Sequence, residues 1–224
     1  VFTFHDTTEI LDGYLDAWRQ ENVDLDGVYS GFLGSADRVA IIKRLYAEYP
    51  HALRLVDPVM GDGGEIYATY TPELCRAMGT LMPNLTEASI LTGRDYPGQD
   101  IDDAQVDEIL GALLAAGAKN VVLKGIDRGD GMIRNYVASA STGVAGKQEL
   151  AHAKLPFMTH GTGDAFASAL CGAVMAGRPL AEAANIAGEF VRHAMESTQY
   201  QPNHEERGVS FELNLDELTA LTRR

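Results

Sequence analysis

The feature that most constrains this chain is a rhythm: short apolar runs alternate with longer amphipathic stretches, and each run stops abruptly at glycine or polar residues. Gly27-Val28-Tyr29-Ser30-Gly31, Leu53-Arg54-Leu55-Val56, Thr80 to Met82 and Val121-Val122-Leu123 read as strands. The last is apolar throughout, as a strand covered on both faces must be. Between them, residues 8–20 place Ile10, Leu11, Tyr14, Leu15 and Trp18 on one helical face, and residues 36–48 do the same with Val39, Ile42, Leu45 and Tyr46. Thr71-Pro72-Glu73 opens another helix, and Thr86 is expected to cap a short one that stops at Gly93. Residues 102–117 form the clearest helix, with Val106, Ile109, Leu110, Leu113 and Leu114 facing one way and Gly117 as the stop. Met132 to Ala138 and Leu150 to Leu155 are predicted to pair as a hairpin, followed by small-residue helices over 164–177 and 181–196. Such alternation predicts an α/β fold with a mainly parallel sheet. No repeat or linker divides the chain, so 1–224 is predicted to be one domain.

Charge narrows the partners. The 18 Lys and Arg against 32 Asp and Glu leave −14, a field that repels nucleic acid and anionic membranes. Any phosphate ligand must therefore be held by local devices: helix N-termini, backbone amides or a metal. Two cysteines, Cys75 and Cys171, make no disulfide framework, and no run of apolar residues is long enough to span a bilayer. A cytoplasmic, soluble protein is the expectation. Val1 is not an initiator methionine, and Val1-Phe2-Thr3-Phe4 alternates like a chain in mid-fold, so a front segment is expected to be missing.

In open α/β sheets, ligands sit beyond the carboxyl ends of the strands. Five segments lie there: 30–34, 57–62, 83–87, Lys124-Gly125 and 160–164. The last is the sharpest. His160-Gly161-Thr162-Gly163-Asp164 leads straight into an apolar helix, whose free N–H groups make an anion hole. Asp164 in the first turn sets a carboxylate beside any bound phosphate, where it suits a base taking a proton from an attacking hydroxyl. The same residues also read as a plain helix cap, and the segment alone does not separate the two. A dinucleotide fingerprint fails, since Phe166 stands where its third glycine belongs, and the only Gly-Lys, Gly146-Lys147, lacks the Ser or Thr of a Walker A loop. Asp57, Asp62 and Glu87 with Asn84 suit Mg²⁺, which takes few protein oxygens plus waters and phosphates. Each taken singly is also a turn or a helix-start charge. Asn84-Leu85-Thr86 matches a glycosylation sequon but lacks a secretory context. Met60 and Met175 are assigned to the core.

Ser-Gly-Phe-Leu-Gly-Ser at 30–35, Val-Asp-Pro-Val-Met-Gly-Asp at 56–62, Pro-Asn-Leu-Thr-Glu-Ala at 83–88 and Gly-Thr-Gly-Asp at 161–164 together resemble the ribokinase superfamily, in its pyridoxal kinase branch. The resemblance spans essentially the whole chain. It implies a ribokinase-like three-layer α/β/α sandwich and ATP-dependent phosphorylation of the 5′-hydroxymethyl group of a B6 vitamer (pyridoxal, pyridoxine or pyridoxamine). It implies Asp164 as catalytic base with Gly161, Thr162 and Gly163 as the anion hole. Asp62 and Glu87 fall near Mg²⁺, with Asp57 close by; Asn84, Glu87, Lys124, Gly125 and Tyr70 fall near the nucleotide. Phe32 takes a substrate-wall place often held by Tyr. A monovalent cation and a homodimer are further implications. The family's first strand and loop, which carry part of the pyridine pocket, have no counterpart in residues 1–224. A hydroxymethylpyrimidine (phosphate) kinase and a non-catalytic nucleotide-binding remnant are the alternative readings.

Overall fold

The computed structural model describes residues 3, 5–62, 65–66 and 79–223; within these, the side chains of residues 36, 61–62, 65–66, 99 and 205 are left undescribed. The order is α1 (Thr8–Gln20), β1 (Gly27–Ser30), α2 (Ala36–Glu48), β2 (Leu53–Val56), β3 (Gly61–Asp62), β4 (Glu65–Ile66), β5 (Thr80–Leu81), α3 (Leu85–Thr92), α4 (Asp103–Ala115), β6 (Asn120–Asp127), β7 (Met132–Ser139), β8 (Gly143–Ala153), α5 (Thr162–Met175), α6 (Leu180–Thr198), α7 (His204–Arg207) and α8 (Leu215–Thr222). Six strands form one sheet in the order β1-β2-β5-β6-β7-β8. The first four run parallel, and β7 and β8 are added antiparallel. β3 and β4 make a separate antiparallel pair.

The alternation of side chains along each strand divides the core in two. Val56, Leu81, Val121, Leu123 and Tyr136 face α1–α4, where they meet Leu45, Val106, Leu110 and Leu113. Their neighbours Leu55, Met82, Val122 and Val137 face the other way, onto Phe166, Leu170, Ala187 and Phe190 of α5 and α6. Small residues let these last two helices lie close: Ala167, Ala173, Ala183, Ala184, Ala187 and Ala194 are all completely covered. The result is helix, sheet, helix, the three-layer α/β architecture expected from sequence.

Four local readings change. Asn84 caps α3 in place of Thr86, because its side chain accepts from the Glu87 N–H while the Glu87 carboxylate accepts from the Asn84 N–H. The second hairpin strand begins at Gly143, well before Leu150; its alternately exposed residues gave no apolar signal, and the strand ends at Ala153, before Lys154 and Leu155. Met175, assigned to the core, lies 44% exposed at the end of α5. The two helices after residue 200 passed unread; α8 contains no fully buried residue, although Leu218 packs against the α5–α6 core. The helix at Thr71-Pro72-Glu73, with Tyr70 and Cys75, lies outside the described residues.

Sheet spacing leaves one point without slack. A Cβ on Gly79, just before β5, would stand 2.7 Å from the Arg54 carbonyl oxygen, a backbone atom of β2. Gly79→Ala is therefore expected to destabilise the fold by roughly 1–3 kcal/mol, because β5 must shift to relieve the clash. Thermal denaturation checks it; an unchanged midpoint would mean that the two strands are not held this closely.

Candidate active site

The parallel strands end together, and β6 brings a buried cation to the site. Lys124, 8% exposed, donates from Nζ to Asp57 Oδ2 at 2.5 Å. Asp57 follows β2 and is 1% exposed; its N–H continues the sheet by donating to the Ser30 carbonyl at 2.9 Å. Between them the chain leaving β5 keeps to the same sheet, for the Lys124 N–H donates to the Pro83 carbonyl and Asn84 bridges to Lys124 in parallel. Burial pushes the Asp57 carboxyl up; the Lys124 ammonium pulls it back, and the charge of Asp164 adds to the rise. Oδ1 of Asp57 is buried with no hydrogen-bond partner among the described residues.

Glu87 lies at the third position of α3, 3% exposed, and its carboxylate is fixed by the N–H groups of Asn84 (2.7 Å) and Met60. Desolvation pushes its pKa up to about 7, with Lys124 opposing and Asp57 adding to the rise. Two carboxylates thus share one ammonium in a dry place, an arrangement found where charge is to be neutralised by something that arrives.

The phosphate device faces this cluster from α5. Gly161 is the N-cap residue with φ +80°, a left-handed conformation that glycine adopts without strain, and no side chain caps the helix. The first intrahelical bond runs from the Ala165 N–H to the Gly161 carbonyl, so the N–H groups of Thr162, Gly163 and Asp164 have no carbonyl four residues back within the helix. A Cβ on Gly163 would lie 3.7 Å from Lys124 Nζ: the ammonium stands directly beside the nest of N–H groups. Asp164 is exposed in the same turn.

A cleft of about 860 Å³ joins these parts, lined by Asp57, Asn84, Glu87, Lys124, Asp164 and Phe32 among others. Phe32, 47% exposed, supplies an aromatic wall from the loop after β1. Of the residues singled out from sequence, the fold therefore brings Phe32, Asp57, Asn84, Glu87, Lys124, Gly125 and Gly161 to Asp164 to one place. The Asp62 side chain and Tyr70 lie outside the described residues. His160 lines the cleft, and its carbonyl accepts from the Val209 N–H at 3.0 Å.

Two residues escaped the sequence reading. Tyr29 projects from β1 on the α5 side, and burial, with the charges of Asp57 and Asp164, pushes its phenol well above the usual range. The spacing Gly27, Tyr29, Gly31 places the three on one strand face, a signal that was legible. Asn135, on β7 in the middle of the predicted hairpin, carried none. Among the described residues no group of three or more His, Cys, Asp or Glu is arranged to hold a metal by itself.

The raised pKa of Glu87 has a measurable sign. Its folded value of about 7 exceeds the ordinary 4.5, so the contribution is fully present below pH 4.5 and lost as pH rises through 7. The full span is about 3 kcal/mol. Glu87→Gln keeps an acceptor for the Asn84 N–H, removes the titration, and is expected to flatten the decline in thermal midpoint between pH 5 and 8. Parallel pH profiles for the two proteins would contradict the assignment.

A phosphomethylpyrimidine kinase family model matches residues 5–210. The hydroxymethylpyrimidine/phosphomethylpyrimidine kinase of Bacillus subtilis is 30% identical over 203 residues, covering 86% of this chain and 71% of the relative. The pyridoxine/pyridoxal/pyridoxamine kinase of Bordetella avium is 28% identical, covering 84% and 67%. Among solved structures, a Bacteroides thetaiotaomicron protein described as a phosphomethylpyrimidine kinase and crystallised with pyridoxal superposes with a TM-score of 0.87 at 26% identity, covering 98% of this chain and 79% of that one. Pyridoxal kinase from Lactobacillus plantarum gives 0.79 at 27%, covering 97% and 78%. With a cleft that holds an uncapped helix N-terminus against a buried lysine, and with a family model matching nearly its whole length, this chain belongs to the phosphomethylpyrimidine kinase family of the ribokinase superfamily, whose members carry the names of both hydroxymethylpyrimidine and pyridoxal kinases.

Proposed function

We propose that this chain transfers the γ-phosphoryl group of Mg·ATP to the primary hydroxyl of a hydroxymethyl-substituted heteroaromatic ring, and that a B6 vitamer is its acceptor. The observation that carries the proposal is the nest of N–H groups at Thr162 to Asp164 beside Lys124 Nζ. Backbone donors and an ammonium aimed at one point stabilise the charge of a phosphoryl group in flight, and they need no rearrangement to do so. Asp164, in the same helical turn, takes the acceptor's hydroxyl proton as its oxygen attacks phosphorus, and the bond to the leaving ADP oxygen breaks. Phe32 offers its ring face to the planar acceptor and fixes its orientation.

Mg²⁺ fits the residues present. The unpartnered Oδ1 of Asp57 is a hard oxygen in the cleft, with Glu87 as a second carboxylate, a sparse set matched to an ion that keeps waters and substrate phosphates. When bound, the ion neutralises polyphosphate charge. Support for the acceptor comes from two sides. The Bordetella and Lactobacillus relatives favour the pyridine ring; the family model and the Bacillus relative favour hydroxymethylpyrimidine. The Bacteroides protein joins the two, being described as a phosphomethylpyrimidine kinase yet crystallised with pyridoxal.

Asp164→Asn is expected to leave the thermal midpoint and ATP binding near those of the parent while kcat falls roughly 10²–10⁴-fold. Normal turnover with a lowered midpoint would make Asp164 a helix-start charge and nothing more. Assayed with both acceptors, the parent protein is expected to show the higher kcat/KM with pyridoxal; a preference for hydroxymethylpyrimidine would move the function to that kinase.

A further inference from the structure

We infer that Asn135 is a nucleotide-binding residue whose side-chain N–H meets an acceptor oxygen where the triphosphate joins the sugar. The inference rests on the Mg·ATP reading above. It begins with an irregularity in β6. Pairing with β7 shifts between Leu123 and Ile126, and Gly125 takes φ +74°, so its N–H leaves the ladder. That N–H donates to Asn135 Oδ1 at 3.0 Å. A backbone N–H can only donate, so the amide oxygen must face it and Nδ2 must face away.

Asn135 is 4% exposed and lines the cleft. Its Nδ2 donates to no group among the described residues, yet it is not one of the polar atoms sealed from solvent. A nearly buried amide held by its oxygen, with its donor left open to a cleft, is costly unless an incoming group completes it. Its place in the fold says which group. Asn135 shares a strand face with Val137, which is packed under α5 and α6, and with Ile133, which also lines the cleft. It is the first polar residue beyond that core. Lys124 spans from the N–H nest, where its Nζ lies, back to its own backbone, and Gly125 is the next residue. Asn135 therefore stands one lysine side chain away from the nest, along the path by which a triphosphate anchored there leads to its nucleoside.

Steady-state kinetics with Mg·ATP and the acceptor varied separately test this. Asn135→Asp keeps an oxygen for the Gly125 N–H and exchanges the donor for a negative oxygen. The KM for ATP is expected to rise about ten-fold or more while the acceptor KM stays within the error of the parent. The thermal midpoint is expected to fall, because a carboxylate now stands in a nearly buried place. Asn135→Ala, which adds no charge, is expected to raise the ATP KM less and to lower the midpoint, because Gly125 loses its acceptor. Should Asn135→Asp fail to fold, the ratio of ATP to acceptor KM in Asn135→Ala carries the test alone. An ATP KM within two-fold of the parent, or ATP and acceptor KM rising together, would make Asn135 a support for the β6 bulge only and overturn the inference. A parent protein that binds no Mg·ATP by calorimetry would overturn both this inference and the proposed function.

Discussion

The buried ion pair between Lys124 and Asp57 is the interaction on which the rest of the site depends. It joins the ends of β2 and β6 across the short β5, where only two residues make regular strand pairs on either side. Taking two charges out of water is expensive, and a buried pair is a poor source of net stability compared with apolar residues of the same size. Removing one partner is far worse, since it leaves a bare charge. The pair therefore fixes the geometry of the cleft more than it stabilises the fold, and it holds Lys124 Nζ beside Gly163. Without it, the N–H groups of α5 would face a strand end of unspecified position.

Around that pair the remaining parts are set by backbone. Glu87 is anchored by two N–H groups, Gly125 by the Asn135 amide, and Gly161 by a left-handed turn that only a glycine makes cheaply. Few of these contacts involve long flexible side chains. Positioning and charge stabilisation are the two contributions a phosphoryl-transfer site asks of a protein, and both need rigid donors. The overall charge of −14 gives no long-range attraction for a polyphosphate, which places the whole burden on this local arrangement.

Much of this was legible in sequence because it is local. Strands read as apolar runs, α4 as a stripe of Val106, Ile109, Leu110 and Leu113, and the site as polar residues after each strand. Asn84 as the cap of α3 was missed for a neighbour two residues on, since Thr86 is an equally good cap by type and only the Glu87 hydrogen bond separates them. The extent of β8 was missed because a strand alternating Glu149, Ala151 and Ala153 outward, at the sheet's edge, has little apolar signal. Asn135 and the burial of Lys124 depend on a bulge and on contacts 67 residues apart, which no local pattern encodes.

A double-mutant cycle on Asp57 and Lys124 tests the central claim most directly, with Asp57→Asn, Lys124→Met and the double variant compared by denaturant unfolding. Each single change is expected to cost about 3–5 kcal/mol, and the double variant to cost well below the sum of the two, with a coupling energy of about 2 kcal/mol or more. Single costs that simply add, within about 0.5 kcal/mol, would contradict the account, for the two charges would then not be holding one another in the cleft.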